Sequence, residues 1–456
     1  MKNVYFIGIG GIGMSAIARY YNHAGYKVSG YDRTPSHLTA ELEREGIEIH
    51  YTEDIGYIPA EREETLVIYT PAIPKDMKEL RYVIDNGYKV IKRSRALGEI
   101  ASHNRCIAVA GTHGKTTTST MIAHLFTACG KGCNAFLGGI SKNYHTNLLL
   151  SKNNLLVAEA DEFDRSFLQL FPDIAIITSV DADHLDIYGN IDSVKEAFSE
   201  FASQIKRDGI LILKKGVEID LSKVKAKVAR YSYNNPCDYY ASNIKIVDGG
   251  YIDFDINYPG GVIENCTVGV PGWVNVENAV AAAAAALNGG MSAKEIRDAL
   301  ATFAGVERRF DIHVNTPRMA YIDDYAHHPN EISSAISSIR NIFPGRKLCG
   351  IFQPHLYTRT RDFAHEFAKS LGMLDELLLL DIYPARELPI EGVTSDLIFK
   401  DVDIENKRKI TKEELMPLLE REMNDGKIDI LITFGAGDID RFICKITDLM
   451  KNVLSR

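Results

Sequence analysis

A glycine-rich loop that carries a lysine and four threonines is the stretch of this sequence best suited to bind phosphate. It reads Gly111-Thr-His-Gly-Lys115-Thr-Thr-Thr118, with the apolar run 106–110 before it and a helix-forming run, 117–128, after it. In a strand–loop–helix unit, backbone N–H groups and the helix N-terminus converge on phosphate oxygens. We therefore expect nucleotide phosphates here, with Lys115 on the outer phosphates and the Thr116 hydroxyl on Mg²⁺. A plain turn and helix cap is the alternative, which the buried strand before the loop disfavours.

Two further apolar runs end in side chains that suit a metal–phosphate site. The run that begins at Leu155 ends in Glu159, and the run 174–180 leads into Asp181-Ala-Asp-His184. Open α/β sheets bind ligands at the carboxyl ends of their strands. The three strands should therefore bring Lys115, Glu159 and His184 to one edge. A solvated strand end and a surface loop histidine are the alternatives for the last two.

The N-terminal 104 residues alternate short β-rich runs with amphipathic helical runs, which is typical of a parallel sheet. Gly8-x-Gly10-x-x-Gly13 closes the first strand, and Asp32 follows about twenty residues later, as in a dinucleotide fingerprint. The same pattern fits any diphosphate seated on a helix N-terminus. NAD and another diphosphate ligand are both left open by these residues.

The remainder of the chain predicts an antiparallel addition over 228–267 and then a second doubly wound unit. Its strands at 319–322, 348–352, 377–380 and 428–434 each end in a polar cluster. Asn275 and Asn278 lie three apart before an alanine run and share a helix face, so they could contact a base edge. N-capping is the alternative for Asn275. The stretch 305–310 has the composition of a hinge.

Length and composition indicate an ordinary soluble protein of two to four domains. The 456 residues are 45% hydrophobic and 25% charged, with a net charge of -9, which argues against a nucleic-acid partner. Seven cysteines without a Cys-x-x-Cys pair suit a reducing compartment. The apolar N-terminus resembles a signal peptide, but its regular glycines favour a nucleotide loop. We expect a cytoplasmic protein without membrane insertion.

Ten motifs in this order resemble the Mur ligases along the whole chain. They are GIGGIGMS (8–15), YTPAIP (69–74), GTHGKTTT (111–118), EADE (159–162), DHLD (183–186), NVEN (275–278), RRF (308–310), DDYAHHP (323–329), QPHLYTRT (353–360) and GAGDI (435–439). The resemblance implies an α/β fold of three domains. These are a Rossmann-like UDP-sugar domain (1–104), a P-loop-type ATP-binding domain (105–311) and a Rossmann-like amino-acid domain (312–456).

The resemblance also implies an activity in peptidoglycan precursor synthesis, and so in cell-wall biogenesis, cell shape and division. The closest branch ligates L-alanine to the lactoyl carboxylate of UDP-N-acetylmuramate through an acyl phosphate, releasing ADP and phosphate. The alternative within the family is a ligase that recycles murein tripeptide. Outside it, an NAD-dependent oxidoreductase or an ATP-driven binding module without ligation would be consistent with single motifs. A monomer or weak homodimer is expected.

Site residues carried over from the resemblance fall into four groups. The UDP-sugar site comprises Gly10, Gly11, Ile12, Gly13, Ser15, Asp32, Thr70 and Ala72. The ATP site comprises Gly111, Thr112, His113, Gly114, Lys115, Thr116, Thr117, Asn275, Asn278, Arg309 and Asp324. Thr116, Glu159 and His184 would hold Mg²⁺, as two ions. Tyr325, His327 and Arg359 lie on the amino-acid side, and His184 or His327 would serve as general base.

Three positions depart from the family pattern. Val274 stands where relatives usually carry a histidine before the first adenine-site asparagine. Leu356 stands where some relatives carry an arginine, which leaves Arg359 as the expected partner of the amino-acid carboxylate. Phe198 occupies the position of a lysine that several Mur ligases carbamoylate, and Lys195 lies nearly a turn earlier. We expect no carbamate here.

Overall fold

The computed structural model describes residues 1–182, 185–247, 250–385 and 387–456. The chain divides into two compact units. The first comprises residues 1–246, 252–270 and 275–305, and the second comprises residues 247–251, 271–274 and 306–456. Two sheets belong to the first unit and a third sheet to the second.

The strands, in chain order, are β1 (Asn3–Ile7), β2 (Lys27–Tyr31), β3 (Glu48–His50), β4 (Thr65–Tyr69), β5 (Lys89–Lys92), β6 (Arg105–Ala110), β7 (Asn134–Ser141), β8 (Thr146–Leu149), β9 (Leu155–Glu159), β10 (Ile174–Ile177), β11 (Ile210–Lys214), β12 (Lys227–Ser232), β13 (Tyr239–Ile246), β14 (Ile252–Tyr258), β15 (Gly261–Thr267), β16 (Asp311–Asn315), β17 (Ala320–Asp324), β18 (Leu348–Phe352), β19 (Glu376–Leu379), β20 (Asn406–Lys409) and β21 (Ile430–Phe434).

The α-helices are α1 (Ile12–His23), α2 (His37–Arg44), α3 (Lys78–Asp85), α4 (Arg93–Ser102), α5 (Lys115–Ala128), α6 (Leu185–Tyr188), α7 (Ile191–Ser203), α8 (Trp273–Asn288), α9 (Ala293–Leu300), α10 (Pro329–Ile342), α11 (Tyr357–Asp362), α12 (Ala364–Leu371), α13 (Asp396–Phe399), α14 (Lys412–Asn424) and α15 (Ile443–Leu454). Short 3-10 helices span Ile55–Tyr57, Arg62–Glu64, Phe163–Gln169 and Asp438–Phe442.

The first sheet has the order β3-β2-β1-β4-β5 and is parallel throughout. Strand β1 lies in its centre, and four of its five residues are buried. Strands covered on both faces are apolar along their whole length, which explains the run after Asn3. The glycine loop leaves the carboxyl end of this central strand and enters α1. This is the βαβ arrangement predicted from the sequence.

The second sheet has ten strands in the order β15-β14-β13-β12-β11-β10-β6-β9-β7-β8. Its centre, β10-β6-β9, is parallel, so the ends of these three strands lie side by side as predicted. Strands β13, β14 and β15 pair antiparallel, which confirms the predicted addition over 239–267. The start of the predicted stretch was wrong, because β12 pairs parallel with both β11 and β13. The alanine run 281–286 of α8 is fully buried, and its small side chains let the helix approach its neighbours closely.

The second unit is built on the sheet β16-β17-β21-β18-β19-β20. It is parallel except for β16, which pairs antiparallel with β17. Buried side chains cover both faces of the sheet, under α10 and α12 on one side and under α14 and α15 on the other. All four strands predicted for this segment are present.

Candidate active site

The loop between β6 and α5 has the backbone of a phosphate-binding loop. Gly111 has φ +138°, and a Cβ at this position would overlap the hydroxyl of Thr178. Gly114 has φ +81° and immediately precedes the first residue of α5, Lys115. Side chains rarely adopt these conformations, so both positions require glycine. The Thr116 side chain is buried in the first turn of α5, and Thr117 is half-buried beside it.

The segment after β10 supports this loop from the neighbouring strand. The Ser179 hydroxyl lies 2.9 Å from the Thr112 hydroxyl and accepts a hydrogen bond from the backbone N–H of His113 at 2.8 Å. The Asp181 carboxylate lies 3.2 Å from the Thr112 hydroxyl and 3.4 Å from Nε2 of His113. Side chains that follow β10 therefore fix the conformation of the loop, together with the glycines of the loop itself.

Lys115 lies inside the loop and pairs with an acid that the sequence did not single out. Its Nζ donates to the carbonyl of Gly111 at 2.6 Å and contacts the Glu162 carboxylate at 2.8 Å. Burial favours the neutral amine, but Glu162, Glu159 and Asp161 outweigh it and raise the pKa of Lys115. The lysine is therefore a permanent cation at the point where nucleotide phosphates would lie.

Glu159 ends β9 next to this loop, in the place predicted for a metal ligand. Its Oε2 is buried and has no hydrogen-bond partner among the residues that the structure describes. Gly138, on β7 beside it, has no side chain because a Cβ there would overlap the Glu159 carboxylate. An unpaired carboxylate oxygen suits a hard cation such as Mg²⁺, so Glu159 and Thr116 fit a magnesium site. His184, the third predicted ligand, lies outside the described residues, and within those residues no three acidic, His or Cys side chains are arranged so that they could hold a metal ion.

The N-terminal glycine loop is stabilised by the acid that the sequence placed opposite it. The Asp32 carboxylate accepts a hydrogen bond from the backbone N–H of Gly10 at 2.7 Å. Gly11 caps α1, and Ile12 is the first residue of that helix. The Ser15 hydroxyl is fully buried and bonds to the carbonyl of Ile12 and the amide of Asn147. Asp32 and Ser15 thus shape the loop and are not among the described residues that line the cavity beside it.

A cavity of about 240 Å³ connects the glycine loop to the end of β9 within the first unit. Gly11, Ile12 and Gly13 line it on one side and Gly138 and Glu159 on the other, together with Thr70. Ala72 lies close by, since its N–H points at the Thr70 hydroxyl at 3.5 Å. A ligand with its phosphates on the glycine loop could therefore present another group to Glu159.

Asn275 and Asn278 both lie within the first two turns of α8 and are buried. Because α8 begins at Trp273, Asn275 is not its N-cap. The Oδ1 of Asn278 accepts a hydrogen bond from the Thr118 hydroxyl at 3.2 Å, and it lies 3.2 Å from where a Cβ of Gly114 would stand. Asn278 is thus packed against the phosphate loop.

Arg309 and Asp324 belong to the second unit. The Arg309 guanidinium lies 4.8 Å from the ring centre of Tyr325. Asp324 ends β17 and accepts hydrogen bonds from the N–H groups of Phe310 at 2.9 Å and Ala326 at 2.7 Å. Burial raises the pKa of the Asp324 carboxyl to about 7, although Arg309 and these N–H groups favour the charged form.

The predicted amino-acid side of the same unit contains two histidines and a buried arginine. Nδ1 of His327 lies 3.0 Å from the carbonyl of Tyr325 and 3.5 Å from the Glu331 carboxylate. The rings of His327 and His355 meet edge to face with centres 6.0 Å apart. Arg359 is buried in α11. This helix begins directly after Leu356, which has φ +72°. A leucine with positive φ in the loop between β18 and α11 is strained backbone of the kind that collects at ligand sites.

Arg93, Asp161, Glu162 and Gly138 are the site residues that the sequence analysis missed. The acids stood inside the EADE motif, where only the first glutamate was assigned a role. Arg93 directly follows β5 of the first sheet. Because ligands bind at the carboxyl ends of parallel strands, this position could have marked it as a candidate site residue. Gly138 gave no signal, because β7 itself was not predicted.

The geometry defines an α/β protein with a loop of the phosphate-binding type beside a buried, unpaired carboxylate. Comparisons with known proteins give its family. The Mur ligase catalytic domain model matches residues 3–105, the Mur ligase middle domain model matches 109–286, and the Mur ligase glutamate ligase domain model matches 308–437. The chain belongs to the Mur ligase family.

Individual relatives agree with this assignment. The chain is 50% identical to UDP-N-acetylmuramate–L-alanine ligase of Porphyromonas gingivalis over 99% of its own length and 100% of the relative's. It is also 50% identical to the enzyme of the same name from Phocaeicola vulgatus, over 99% and 98%. The crystal structure of UDP-N-acetylmuramate–alanine ligase from Thermotoga maritima is similar, with a TM-score of 0.81, 26% identity and 99% of both chains covered.

A murein peptide ligase from Psychrobacter arcticus shares the fold, with a TM-score of 0.72 and 23% identity over 99% of both chains. Among the described residues, no helix is both long and apolar enough to cross a membrane.

Proposed function

We propose that this protein is the ATP-dependent ligase that joins L-alanine to the lactoyl carboxylate of UDP-N-acetylmuramate in peptidoglycan precursor synthesis. The observation that carries the proposal is 50% identity over essentially the whole of both chains to a ligase of that name. The cavity between the glycine loop and Glu159 supports it, because it gives a UDP-sugar a place beside the phosphate loop.

The three substrates would occupy three parts of the chain. The UDP-sugar binds the first sheet through Gly10 to Gly13 and Thr70, the nucleotide binds the loop 111–117, and the amino acid binds the second unit near Arg359. The domain boundaries near residues 104 and 311 and a monomeric or weakly dimeric state are part of the same proposal.

In the first step, an oxygen of the lactoyl carboxylate attacks the γ-phosphorus of ATP. The bond from this phosphorus to the β–γ bridging oxygen breaks, and ADP leaves with the electron pair. Lys115, a cation held among acids, offsets the charge on the transferring group. Mg²⁺, held by Thr116, Glu159 and His184, would neutralise phosphate charge and orient the oxygens when it is bound.

In the second step, the neutral amine of L-alanine attacks the acyl carbon of the acyl phosphate. The bond from this carbon to the phosphate oxygen breaks, and inorganic phosphate leaves. His184 or His327 would take the ammonium proton; in His327, the carbonyl of Tyr325 and the Glu331 carboxylate lie beside Nδ1. Arg359 would bind the carboxylate of the amino acid through its guanidinium.

The test is ATP-dependent phosphate release by the purified protein, with the amide product identified by mass. We expect release only when UDP-N-acetylmuramate and L-alanine are both present. UDP-N-acetylglucosamine, which lacks the lactoyl carboxylate, should give none. Glycine and L-serine would show how strictly the second unit selects alanine.

The same assay separates the recycling alternative and the oxidoreductase alternative. Ligation of the tripeptide L-Ala-γ-D-Glu-meso-diaminopimelate to the sugar, without ligation of L-alanine, would establish a recycling ligase. An NADH absorbance change on incubation with the protein would instead support an oxidoreductase. Phosphate release without an amide product would support a binding module driven by ATP.

A further inference from the structure

Arg93 is a cation at the edge of the cavity for which neither the sequence motifs nor the proposed chemistry gives a role. It is the first residue of α4 and follows β5 in the first sheet. Its Nη1 lies 2.7 Å from where a Cβ of Gly13 would stand, so the guanidinium packs directly on the glycine loop. A larger residue at position 13 would displace it.

One nitrogen of the Arg93 guanidinium bonds to a protein acceptor, and the other two do not, among the residues that the structure describes. Its Nη2 donates to Oδ2 of Asp161 at 2.9 Å. Asp161 is fixed in turn, because its Oδ1 accepts the N–H of Phe163 at 3.1 Å. Within the described part of the chain, Nη1 and Nε of Arg93 have no protein acceptor, and the side chain remains 18% exposed. Two nitrogens of Arg93 therefore remain available as donors, and one of them, Nη1, lies next to the glycine loop.

The position of Arg93 is electrostatically unfavourable for the fold alone. A cation in the first turn of a helix opposes the helix dipole, and Arg93 lies at that point of the ten-residue α4. Its side chain is also only partly hydrated. A role in binding an anion accounts for both features, and the paired Asp161 accounts for how the side chain stays in place before the anion arrives.

We propose that Arg93 binds the diphosphate of the UDP-sugar across the glycine loop, and that Asp161 is the positioning residue that orients it. The inference rests on the proposed function, since it specifies how that substrate is held. Arginine suits this task because Nη2 can hold Asp161 while Nη1, on the side of Gly13, meets a phosphate oxygen. The diphosphate is assigned rather than the lactoyl carboxylate because Nη1 lies against Gly13, in the loop that would receive phosphate.

The experiment is calorimetric titration with UDP, which carries the diphosphate but no sugar carboxylate. Arg93→Ala should weaken UDP binding by about 10-fold or more, the range expected when a charge-assisted hydrogen bond is lost. Arg95→Ala is the matched control, because Arg95 lies on the same helix, is 62% exposed and pairs with Glu99. It should bind UDP as the wild type does.

Two further variants test the division of roles. Arg93→Lys keeps one charge near Asp161 but cannot span two directions, so it should retain the thermal stability of the wild type and still bind UDP weakly. Asp161→Asn keeps the acceptor for Phe163 and should weaken UDP binding by a smaller factor. The double variant Arg93→Ala/Asp161→Asn should bind no more weakly than Arg93→Ala, because Asp161 acts through Arg93. In steady state, Arg93→Ala should raise the KM for the UDP-sugar and leave the KM for ATP unchanged.

The contrary outcomes are distinct. UDP binding by Arg93→Ala and Arg93→Lys within twofold of the wild type would refute the assignment while leaving the proposed function intact. If Arg93→Ala lost affinity for UDP-N-acetylmuramate but not for UDP, Arg93 would be assigned to the lactoyl carboxylate and the diphosphate contact would be refuted. Additive losses in the double variant would refute the positioning role of Asp161. A wild type that neither binds UDP nor ligates would overturn the proposed function, and this inference with it.

Discussion

At the scale of single residues, the site depends on glycines as much as on charged side chains. Gly138 leaves room for the Glu159 carboxylate, and Gly13 leaves room for the Arg93 guanidinium. In both cases the atom that a new Cβ would meet is the far end of a flexible side chain. Substitution should therefore move a functional group and leave the fold nearly unchanged.

Gly138→Ala is predicted to weaken magnesium use. The added methyl group would displace the Glu159 carboxylate, and shifts in the surroundings of a metal ligand typically lower metal affinity by roughly 10-fold or more. We expect the Mg²⁺ concentration for half-maximal activity to rise by about this factor, with the thermal midpoint little changed. An unaltered magnesium requirement would mean that Glu159 does not hold the metal.

The raised pKa of Asp324 predicts that this residue makes a pH-dependent contribution to the stability of the second unit. Its pKa is about 7 in the folded chain against an ordinary 3.8. Between these values the folded state binds one more proton than the unfolded state, so this contribution decreases as pH rises from about 4 to about 7. Urea unfolding across this window should show the decrease in the wild type and not in Asp324→Asn. Parallel pH curves for the two proteins would contradict the raised pKa.

The sequence could predict those site residues that lie at the end of a recognisable strand. Lys115, Thr116 and Glu159 were predicted because each follows or ends an apolar run, and the order of the central strands places them together. Arg93 and Gly138 become neighbours of this group only through the placement of β5 and β7, which a single sequence does not encode locally. The roles of all these residues, and of His184, stay predictions.

At the scale of secondary structure, short or charged strands were the elements missed. Strands β3 and β20 lie at sheet edges, and β20 reads Asn-Lys-Arg-Lys. Edge strands carry charges because those side chains face solvent and discourage pairing with other chains. Such runs look like loops in a sequence. The hairpin of β7 and β8 was missed because its glycines and asparagines resemble a loop as well.

The hairpin of β7 and β8 makes a buried contact with α1 through Asn147, and removing this contact should lower the stability measurably. Asn147 of β8 is fully buried. It accepts a hydrogen bond from Arg19 and donates to the carbonyl of Ile12 at 2.6 Å. Asn147→Ala removes both hydrogen bonds, although Arg19 keeps Glu41 and Glu45 and the Ile12 carbonyl keeps the Ser15 hydroxyl. We therefore expect a cost of about 1–2 kcal/mol. Urea denaturation should show this loss, whereas Asn86→Ala, on an exposed helix end, should cost about 0.5 kcal/mol or less. Equal losses in the two variants would contradict the buried network.

Helix α7 bears on whether the enzyme uses a carbamoylated lysine. Phe198 is fully buried and its ring packs edge to face on Phe167, with centres 5.1 Å apart. Lys195 instead lines an exposed groove together with Glu196 and Glu200. We therefore predict that Lys195→Ala keeps most of the ligase activity. Loss of activity in this variant with recovery in bicarbonate would show that Lys195 acts as a carbamate.

At the scale of the whole molecule, alternation of strands and helices was enough to predict the fold class. The structure contains three mainly parallel sheets, as the predicted fold class implies, and the chain belongs to the family that its motifs indicated. Periodicity could not predict strand order, because order depends on contacts between distant segments. An example is β21, which is last in the chain and lies between β17 and β18.

The central claim is that one oxygen of the sugar carboxylate passes to phosphate before the amide forms. The most direct test supplies UDP-N-acetylmuramate labelled with ¹⁸O in both lactoyl carboxylate oxygens, together with ATP and L-alanine, and measures the label by mass spectrometry. The account predicts one ¹⁸O in each released phosphate and one in each amide product. Phosphate released without ¹⁸O would show that the carboxylate is not phosphorylated and would contradict the account.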